Sequence, residues 1–416
     1  MKLQKVYKYG IYVFLLGFLM ANKINANIKG DPQNLYWTKY IPTQKVIQWR
    51  RHIHENPELS FKEVNTALYV ENILNSLGNI EIVKPTKTSV IGILHGAKPG
   101  KVVAFRADMD ALPVQEETGL PYASKVAQVS HACGHDTHTA MLLGTASVLS
   151  KIQKDVKGTI YFIFQHAEES LPGGAREIIE TGVLNKVQAF FGMHIMPGPS
   201  IGSIGVMPAG PASTASDRFN LKIIGKGAHG SMPNLSIDPI VIGAQVVNNL
   251  QTIVSRNVEP GNLAVLTIGK FHSGKAVNVI PDKAELGGSI RTITEDVRQL
   301  MATNIKRVID NTIKAQGATY ELKYTFGYNS IVNDKALVDL SRQSAIKAVG
   351  AKHVKDIPMM TASEDFSYYR KIAPICFLIL TSGQGPINHN AKFNPSEDAF
   401  VNGIKTQVQI LLDYLD

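Results

Sequence analysis

His131-Ala132-Cys133-Gly134-His135-Asp136 puts two imidazoles, a thiol and a carboxylate within six residues, and Asp136-Thr-His-Thr-Ala-Met-Leu-Leu-Gly-Thr-Ala-Ser-Val-Leu149 follows with helical texture. Gly134 lets the backbone turn sharply between Cys133 and His135. A thiol just ahead of a helix N-terminus has its thiolate form favoured by the helix dipole. Thiolate and imidazole are ligands that suit zinc and related divalent metals. Cys-x-His alone reads equally well as a buried structural cysteine with polar neighbours. The chain on either side tips the reading toward a metal centre that activates water.

Three apolar runs end in polar groups. Lys101-Val-Val-Ala-Phe-Arg106 leads to Asp108 and Asp110, Gly158-Thr-Ile-Tyr-Phe-Ile-Phe-Gln165 leads to Glu168 and Glu169, and Gln188-Ala-Phe-Phe-Gly-Met193 leads to His194. Read as parallel strands, they bring these groups to one rim, where ligands of open α/β sheets bind. An aspartate there, such as Asp108, orients a metal-binding histidine. Adjacent glutamates point in different directions, so one binds metal while the other stays free as a general base. Each group has an ordinary alternative: a solvated turn for Asp108, an exposed acidic turn for the glutamates, a core position for His194. Their convergence argues against all three at once.

The remaining elements give an α/β chain with a mixed, mostly parallel sheet and an inserted smaller domain. Residues 43–54 and 62–77 read as helices around Asn56-Pro57, with His52 and His54 at the surface or its boundary. Ser89–His95 and Lys101–Arg106 read as strands paired across Gly96-Ala-Lys-Pro-Gly100. Gly198–Pro211, rich in Gly and Pro, reads as a domain boundary. After it come a strand at 217–224, a helix at 238–255, strands at 263–270 and 284–292, a helix at 294–315 and a strand at 319–326. This βαββαβ order predicts an α+β unit with an antiparallel sheet over 213–327. It carries His229 in a glycine-rich loop, Asn278 before Val-Ile-Pro281, and Arg291, whose fork suits a carboxylate although an exposed strand arginine is the plainer reading. The larger domain then covers 33–212 and 328–416, with a helix at 335–349, a buried strand at 373–380 holding an inert Cys376, His389 after that strand, and a closing helix at 397–414.

The 416 residues suffice for two ordinary domains, and 44% apolar residues are normal for a globular protein. Four of the nine net positive charges are Lys2, Lys5, Lys8 and Lys23. No dense Lys/Arg stripe with interleaved aromatics points to nucleic acid, and two cysteines make no disulfide framework. The lysines precede Ile11-Tyr-Val-Phe-Leu-Leu-Gly-Phe-Leu-Met20, too short to span a bilayer but suited to a secretory signal. Residues 1–26 therefore read as a signal peptide, cleaved after Ala21 or Ala26. The mature chain is expected in a periplasm or beyond, with no stable membrane span.

Taken together the motifs resemble the M20 family of metallopeptidases, in its branch of hippurate hydrolases, N-acyl-amino-acid amidohydrolases and plant auxin-conjugate hydrolases. The resemblance is carried by Arg106-Ala-Asp-Met-Asp-Ala-Leu-Pro113, His131–Asp136, Phe164-Gln-His-Ala-Glu-Glu169, Gly192-Met-His194, Gly227-Ala-His229, Asn278-Val-Ile-Pro281, Ser363-Glu-Asp-Phe366 and His389, in family order from about residue 40 to the C-terminus. It implies a catalytic domain with a lid or dimerisation domain at 213–327. It also implies two divalent ions (Zn, Mn or Co) held by Cys133, His135, Glu169, His194 and His389, with Glu168 as general base. His229 would polarise the scissile carbonyl, from this subunit or a homodimer partner. Asn278 and Arg291 would hold the substrate carboxylate, and Asp108 would match the aspartate behind the metal ligands. The implied reaction cleaves N-acyl amino acids, with acyl or aryl-acyl groups, to a carboxylic acid and a free amino acid. The alternative is a dipeptidase or carboxypeptidase. The chain departs from the family pattern at His166 and Ala391, where Pro is usual, and at Thr137, where Gly often stands.

Overall fold

The computed structural model describes residues 34–416, so the expected signal peptide at 1–26 lies outside the described residues. Among the described residues a 3-10 turn at Tyr36–Tyr40 precedes helices α1 (Thr43–Glu55) and α2 (Val64–Ser76). α1 turns Val46, Arg50, Ile53 and His54 inward, the spacing of one helical face. Strands β1 (Glu81–Val83), β2 (Val90–His95) and β3 (Lys98–Asp108) follow, then α3 (His135–Lys151), β4 (Lys157–Gln165), α4 (Gly174–Glu180), β5 (Ala189–Met196) and β6 (Ile201–Val206). The inserted unit runs β7 (Ala215–Ile224), α5 (Pro239–Asn257), β8 (Ala264–Ser273), β9 (Lys283–Thr292), α6 (Glu295–Lys314) and β10 (Thr319–Phe326). The chain closes with α7 (Lys335–Val349), β11 (Val354–Asp356), β12 (Ile375–Ser382) and α8 (Phe400–Leu415).

Eight strands form the main sheet in the order β1-β2-β4-β3-β5-β12-β6-β11. The centre, β4-β3-β5-β12, is parallel. β2 joins β4, and β6 joins β12, antiparallel. Apolar side chains pack on both faces of the sheet, which explains strands that are hydrophobic throughout rather than alternating. α3 is buried along nearly its whole length. At Gly144 a Cβ would come within 2.8 Å of both Val46 and Ile404, so only glycine lets α1 and α8 approach α3 this closely.

Four expectations are corrected. β2 and β3 are not a hairpin; β4 lies between them. The crossover through α3 sets β4 parallel beside β3, as right-handed βαβ units require, and β2 takes the free edge of β4. The stretch 198–211 is no simple linker, because it carries β6, whose backbone pairs with both β12 and β11. The inserted unit begins just beyond it, at Ala215. His194 lies within β5, which continues to Met196 and pairs His194 with Ile379 of β12. His54 is fully buried, hydrogen-bonded to Asp136 and Glu116 at 2.8 and 3.2 Å, whereas His52 stacks on Tyr69 at the surface.

The inserted unit is a four-stranded antiparallel sheet, β8-β9-β7-β10, with α5 and α6 packed on one face. Asp238 and Thr294 cap the two helices by accepting from backbone N–H groups. Arg298 of α6 ties this unit to the returning chain, donating to Asp217 at 2.6 Å and to the Gly327 carbonyl at 2.8 Å. Among the described residues no helix is long and apolar enough to cross a membrane.

Candidate active site

The site forms where β3, β4 and β5 end and α3 begins. Gly134 has φ +94°, and a Cβ there would lie 2.6 Å from Ile195; glycine is required to swing Cys133 and His135 onto the same rim. The loop after β12 closes the site. Asn388 Nδ2 donates to the carbonyls of Cys133 and Ile195 at 2.9 and 3.2 Å, and the His389 N–H donates to Ala132 O at 2.7 Å. A residue more than 250 positions downstream of Cys133 is thereby fixed beside it.

Cys133, His135 and His194 bring their ligand atoms within 4.8 Å of one another, and so do Cys133, Glu169 and His389. Cys133 belongs to both triads. Cys133 Sγ is 3.3 Å from His194 Nε2, and His194 Nδ1 bonds the Ile195 carbonyl at 2.8 Å, which leaves the Nε2 lone pair facing the cluster. His389 Nε2 is 3.2 Å from Glu169 Oε1. Among the described residues, buried His135 Nε2 and Glu169 Oε1 make no well-aligned hydrogen bond, the His389 contact being an ion-pair distance only. Orphaned atoms of this kind, on a thiol, imidazole and carboxylate donor set, fit divalent metal ions.

The electrostatics agree. Burial, then Glu169 and Glu168, push the Cys133 thiol well up. Burial alone would lower His135, but Asp108, Asp110 and Glu169 outweigh it and raise it to about 10. Burial, with Glu364, Glu169 and Asp365, holds Glu168 well above the usual carboxyl range. Each shift marks concentrated negative potential, which a bound cation reverses.

The aspartate that fixes His135 is Asp110 rather than the expected Asp108. Asp110 Oδ1 is 3.2 Å from His135 Nδ1, and its two oxygens accept the N–H groups of Glu168 and Glu169 at 3.0 Å each. Asp108 instead binds His138 Nδ1 at 2.6 Å and Arg106 at 2.7 Å, and lies 3.4 Å from His135 Nε2. His138 in turn accepts the Ile195 N–H at 2.8 Å, so Asp108 braces the strand behind the cluster.

A cavity of about 340 Å³ opens over the cluster, lined by Cys133, Glu168, Glu169, His194 and His389 and, opposite them, Met196, Tyr328, Met360, Phe377 and Glu364. Nothing from 213–327 lines it. His229 is exposed, in a two-residue strand against Val279, with Nδ1 2.7 Å from Ser231 Oγ; the Asn278 carbonyl accepts the Gly230 N–H at 2.8 Å. Arg291 on β9 bonds the Ser216 hydroxyl. His229 and Asn278 are thus neighbours, but the structure does not bring them or Arg291 to the metal-ligand cluster. His166 also faces away from the cavity, its Nε2 3.0 Å from Glu177.

Sequence reasoning assigned no role to Glu364, Asp365, Arg106 or Tyr328. The buried Arg106 guanidinium meets Asp108, Asp365 at 2.8 Å and Glu364 at 3.0 Å. The Tyr328 hydroxyl donates to the Glu168 carbonyl at 2.6 Å. The signal available was the polar run Ser363-Glu-Asp-Phe366, but its contact with Arg106 spans more than 250 residues.

An open α/β sheet with a thiol–imidazole–carboxylate cluster at its rim and a second glutamate beside it defines a metallohydrolase. The model for Peptidase family M20/M25/M40 matches residues 104–413, and the chain belongs to that family. It is 50% identical over 288 residues to an N-acyl-L-amino acid amidohydrolase of Geobacillus stearothermophilus, covering 69% of this chain and 78% of that protein. It is 42% identical over 368 residues to thermostable carboxypeptidase 1 of Saccharolobus solfataricus, covering 86% and 92%. A crystal structure of a dinuclear metal-binding M20 peptidase from Bacillus subtilis superposes with TM-score 0.78 at 36% identity, covering 90% of this chain and 98% of that one. The protein is a hydrolase of this family.

Proposed function

We propose that the protein hydrolyses N-acyl amino acids to a carboxylic acid and a free amino acid. Cys133, His135, Glu169, His194 and His389 would hold two divalent ions, of zinc, manganese or cobalt, which would supply Lewis-acid charge and a lowered pKa for water. Glu168 is the group that takes a proton from the attacking water and returns it to the leaving nitrogen. The observation that carries this reading is the position of Glu168. A carboxyl oxygen of Glu168 lies within 4.8 Å of a ring nitrogen of His135 and a carboxyl oxygen of Glu169, its backbone is anchored by Asp110 and Tyr328, and among the described residues its carboxyl oxygens make no hydrogen bond of their own. A site built only to hold metal has no use for such a spare base.

His229, Asn278 and Arg291 reach the substrate through the inserted domain, His229 at the carbonyl and the other two at the carboxylate. Either closure of that domain or a partner subunit supplies them. A homodimer through the inserted domain suits β8, an edge strand of its sheet that carries exposed Val265 and Phe271. Export through residues 1–26 places the enzyme outside the cytoplasm. The second reading, carboxypeptidase or dipeptidase, is favoured by the likeness to the Saccharolobus carboxypeptidase. Metal analysis combined with a hydrolysis screen over N-acetyl, N-benzoyl and indole-acyl amino acids, beside dipeptides and longer peptides, separates the two. A protein with two bound ions that turns over none of the acyl amino acids overturns the first.

A further inference from the structure

Glu364 is a buried carboxyl on the cavity wall that the reaction as described does not use. It caps the short helical turn Asp365–Lys371. Its Oε1 accepts the Phe366 N–H at 3.2 Å and faces Arg106 Nη2 at 3.0 Å. Among the described residues its Oε2 makes no hydrogen bond, and Glu364 is one of the residues that line the cavity. Oxygens of Glu168, Glu364 and Asp365 lie within 4.8 Å of one another. Asp365 is spent: Arg106, Gln165 and the Ala175 N–H occupy both its oxygens. Glu168 is therefore within reach both of His135 and Glu169 in the cluster and of a carboxyl oxygen of Glu364.

That placement meets a need of amide cleavage. When water has added to the carbonyl, the scissile nitrogen is tetrahedral, with one N–H and one lone pair pointing in different directions. Glu168 protonates the nitrogen only if the lone pair faces it, and the N–H then needs an acceptor elsewhere. Hydrogen bonds to oxygen span about 2.9 Å, so one nitrogen can reach two oxygens up to 4.8 Å apart. We infer that Glu364 accepts a hydrogen bond from the scissile N–H and so turns the nitrogen lone pair toward Glu168. As the C–N bond breaks, its electron pair leaves with the nitrogen, the proton passes from Glu168 to that nitrogen, and the carbonyl re-forms as the acid product. Glu364 gains and loses no proton. This role rests on the amidohydrolase reading above and makes Glu364 a catalytic residue.

The groups facing Glu364 are Arg106, Asp108, Asp365, Glu168 and the Phe366 N–H. Burial pushes Glu364 up to about 8, with Asp108 and Asp365 adding to it and Arg106 opposing. Assays are therefore run across pH 7 to 9.5, so that the comparison of substrates does not depend on one protonation state of Glu364.

The test compares kcat/KM of the metal-loaded wild type and Glu364→Gln on three matched substrates: N-acetyl-L-alanine, N-acetyl-N-methyl-L-alanine and O-acetyl-L-lactate. Only the first has an N–H at the leaving atom. Arg106 and the Phe366 N–H are both donors, so the variant's amide side chain must give them its carbonyl and turn its NH₂ to the cavity, replacing an acceptor by a donor. Glu364→Gln is expected to lose about 10- to 100-fold on N-acetyl-L-alanine, the worth of one hydrogen bond to a charged group. The other two substrates are expected to stay within about threefold of wild type, since they forgo that bond. Equal loss on all three in a variant with wild-type melting temperature and metal content overturns the role. Should that substitution unfold the protein, Glu364→Asp, which keeps the charge but draws it back from the nitrogen, is expected to show the same selective loss, and uniform loss there overturns the role. Wild-type protein inert toward all three substrates overturns the amidohydrolase reading and this role with it, whereas wild-type turnover with uniform variant loss overturns this role alone.

Discussion

Asp110 holds His135 by Nδ1 at 3.2 Å, and the same carboxylate accepts the backbone N–H of Glu168 and of Glu169. One buried side chain thus sets the orientation of the His135 ring and of the backbone at Glu168 and Glu169, two proposed metal ligands and the proposed base. Asp110→Asn puts an NH₂ where a donor already points, so one of these three bonds becomes a clash of donors. Metal affinity is expected to fall about 10- to 100-fold, with kcat falling at least as far. Metal content after dialysis, set against kcat at saturating metal, checks both.

Glu168→Gln leaves all five proposed ligands in place and removes the proton carrier. Bound metal is expected to match wild type while kcat drops by at least about 100-fold, the low end of general acid–base catalysis. Elemental analysis beside turnover decides it: full activity, or loss of metal, contradicts the assignment.

Cys133 lines the cavity and Cys376 is buried in the core. With metal bound, neither thiol should react quickly with iodoacetamide. After chelation, Cys133 is expected to label ahead of Cys376, and slowly at neutral pH because burial and Glu169 hold its thiol up; once labelled, activity should resist recovery with added Zn²⁺, Mn²⁺ or Co²⁺. Peptide mapping of the label identifies the site. Labelling of the loaded enzyme at Cys133 without loss of metal would count against ligation.

The buried cluster of Arg50, His54, Glu116 and Asp136 makes stability depend on pH from both sides. Burial would raise Glu116, but His54, Thr118 and the Ser124 N–H hold it at about 2, below its ordinary 4.5. Because the folded value is depressed, its contribution is full above 4.5 and is lost as pH falls toward 2. His54 runs the other way. Burial lowers it, yet Asp136 and Glu116 outweigh this and raise it above 6.5. Its contribution is full below 6.5 and is lost as pH rises through the folded value. Glu116→Gln is expected to cost about 2 kcal/mol at about pH 6, the range for a hydrogen bond to a charged group. The gap to wild type should close between pH 4.5 and 2, which melting curves across that range measure. A gap that persists unchanged at the acid end contradicts the ion-pair origin.

Local signals carry far in this chain. The inserted unit's six main elements fall within a few residues of their expected bounds, because strand alternation, helical periodicity and the Asp238 and Thr294 caps all agree there. The errors arise where neighbours in sequence are not neighbours in space. β2 and β3 read as a hairpin, but the α3 crossover places β4 between them. His54 reads as a surface residue because nothing near it in sequence announces Asp136.

Residue types and their order by themselves determined the α/β class, the inserted domain and the polar groups at the strand ends, since apolar runs and glycine turns are short-range patterns. Only the tertiary structure decided that Asp110 rather than Asp108 fixes His135, that Arg106 gathers Glu364 and Asp365, and that His229, Asn278 and Arg291 stand apart from the cluster. Those outcomes depend on side chains meeting across tens to hundreds of residues. Strand alternation would put Asp108 and Asp110 on one face, but β3 ends at Asp108, and beyond a strand's end no local pattern states which way a carboxylate turns.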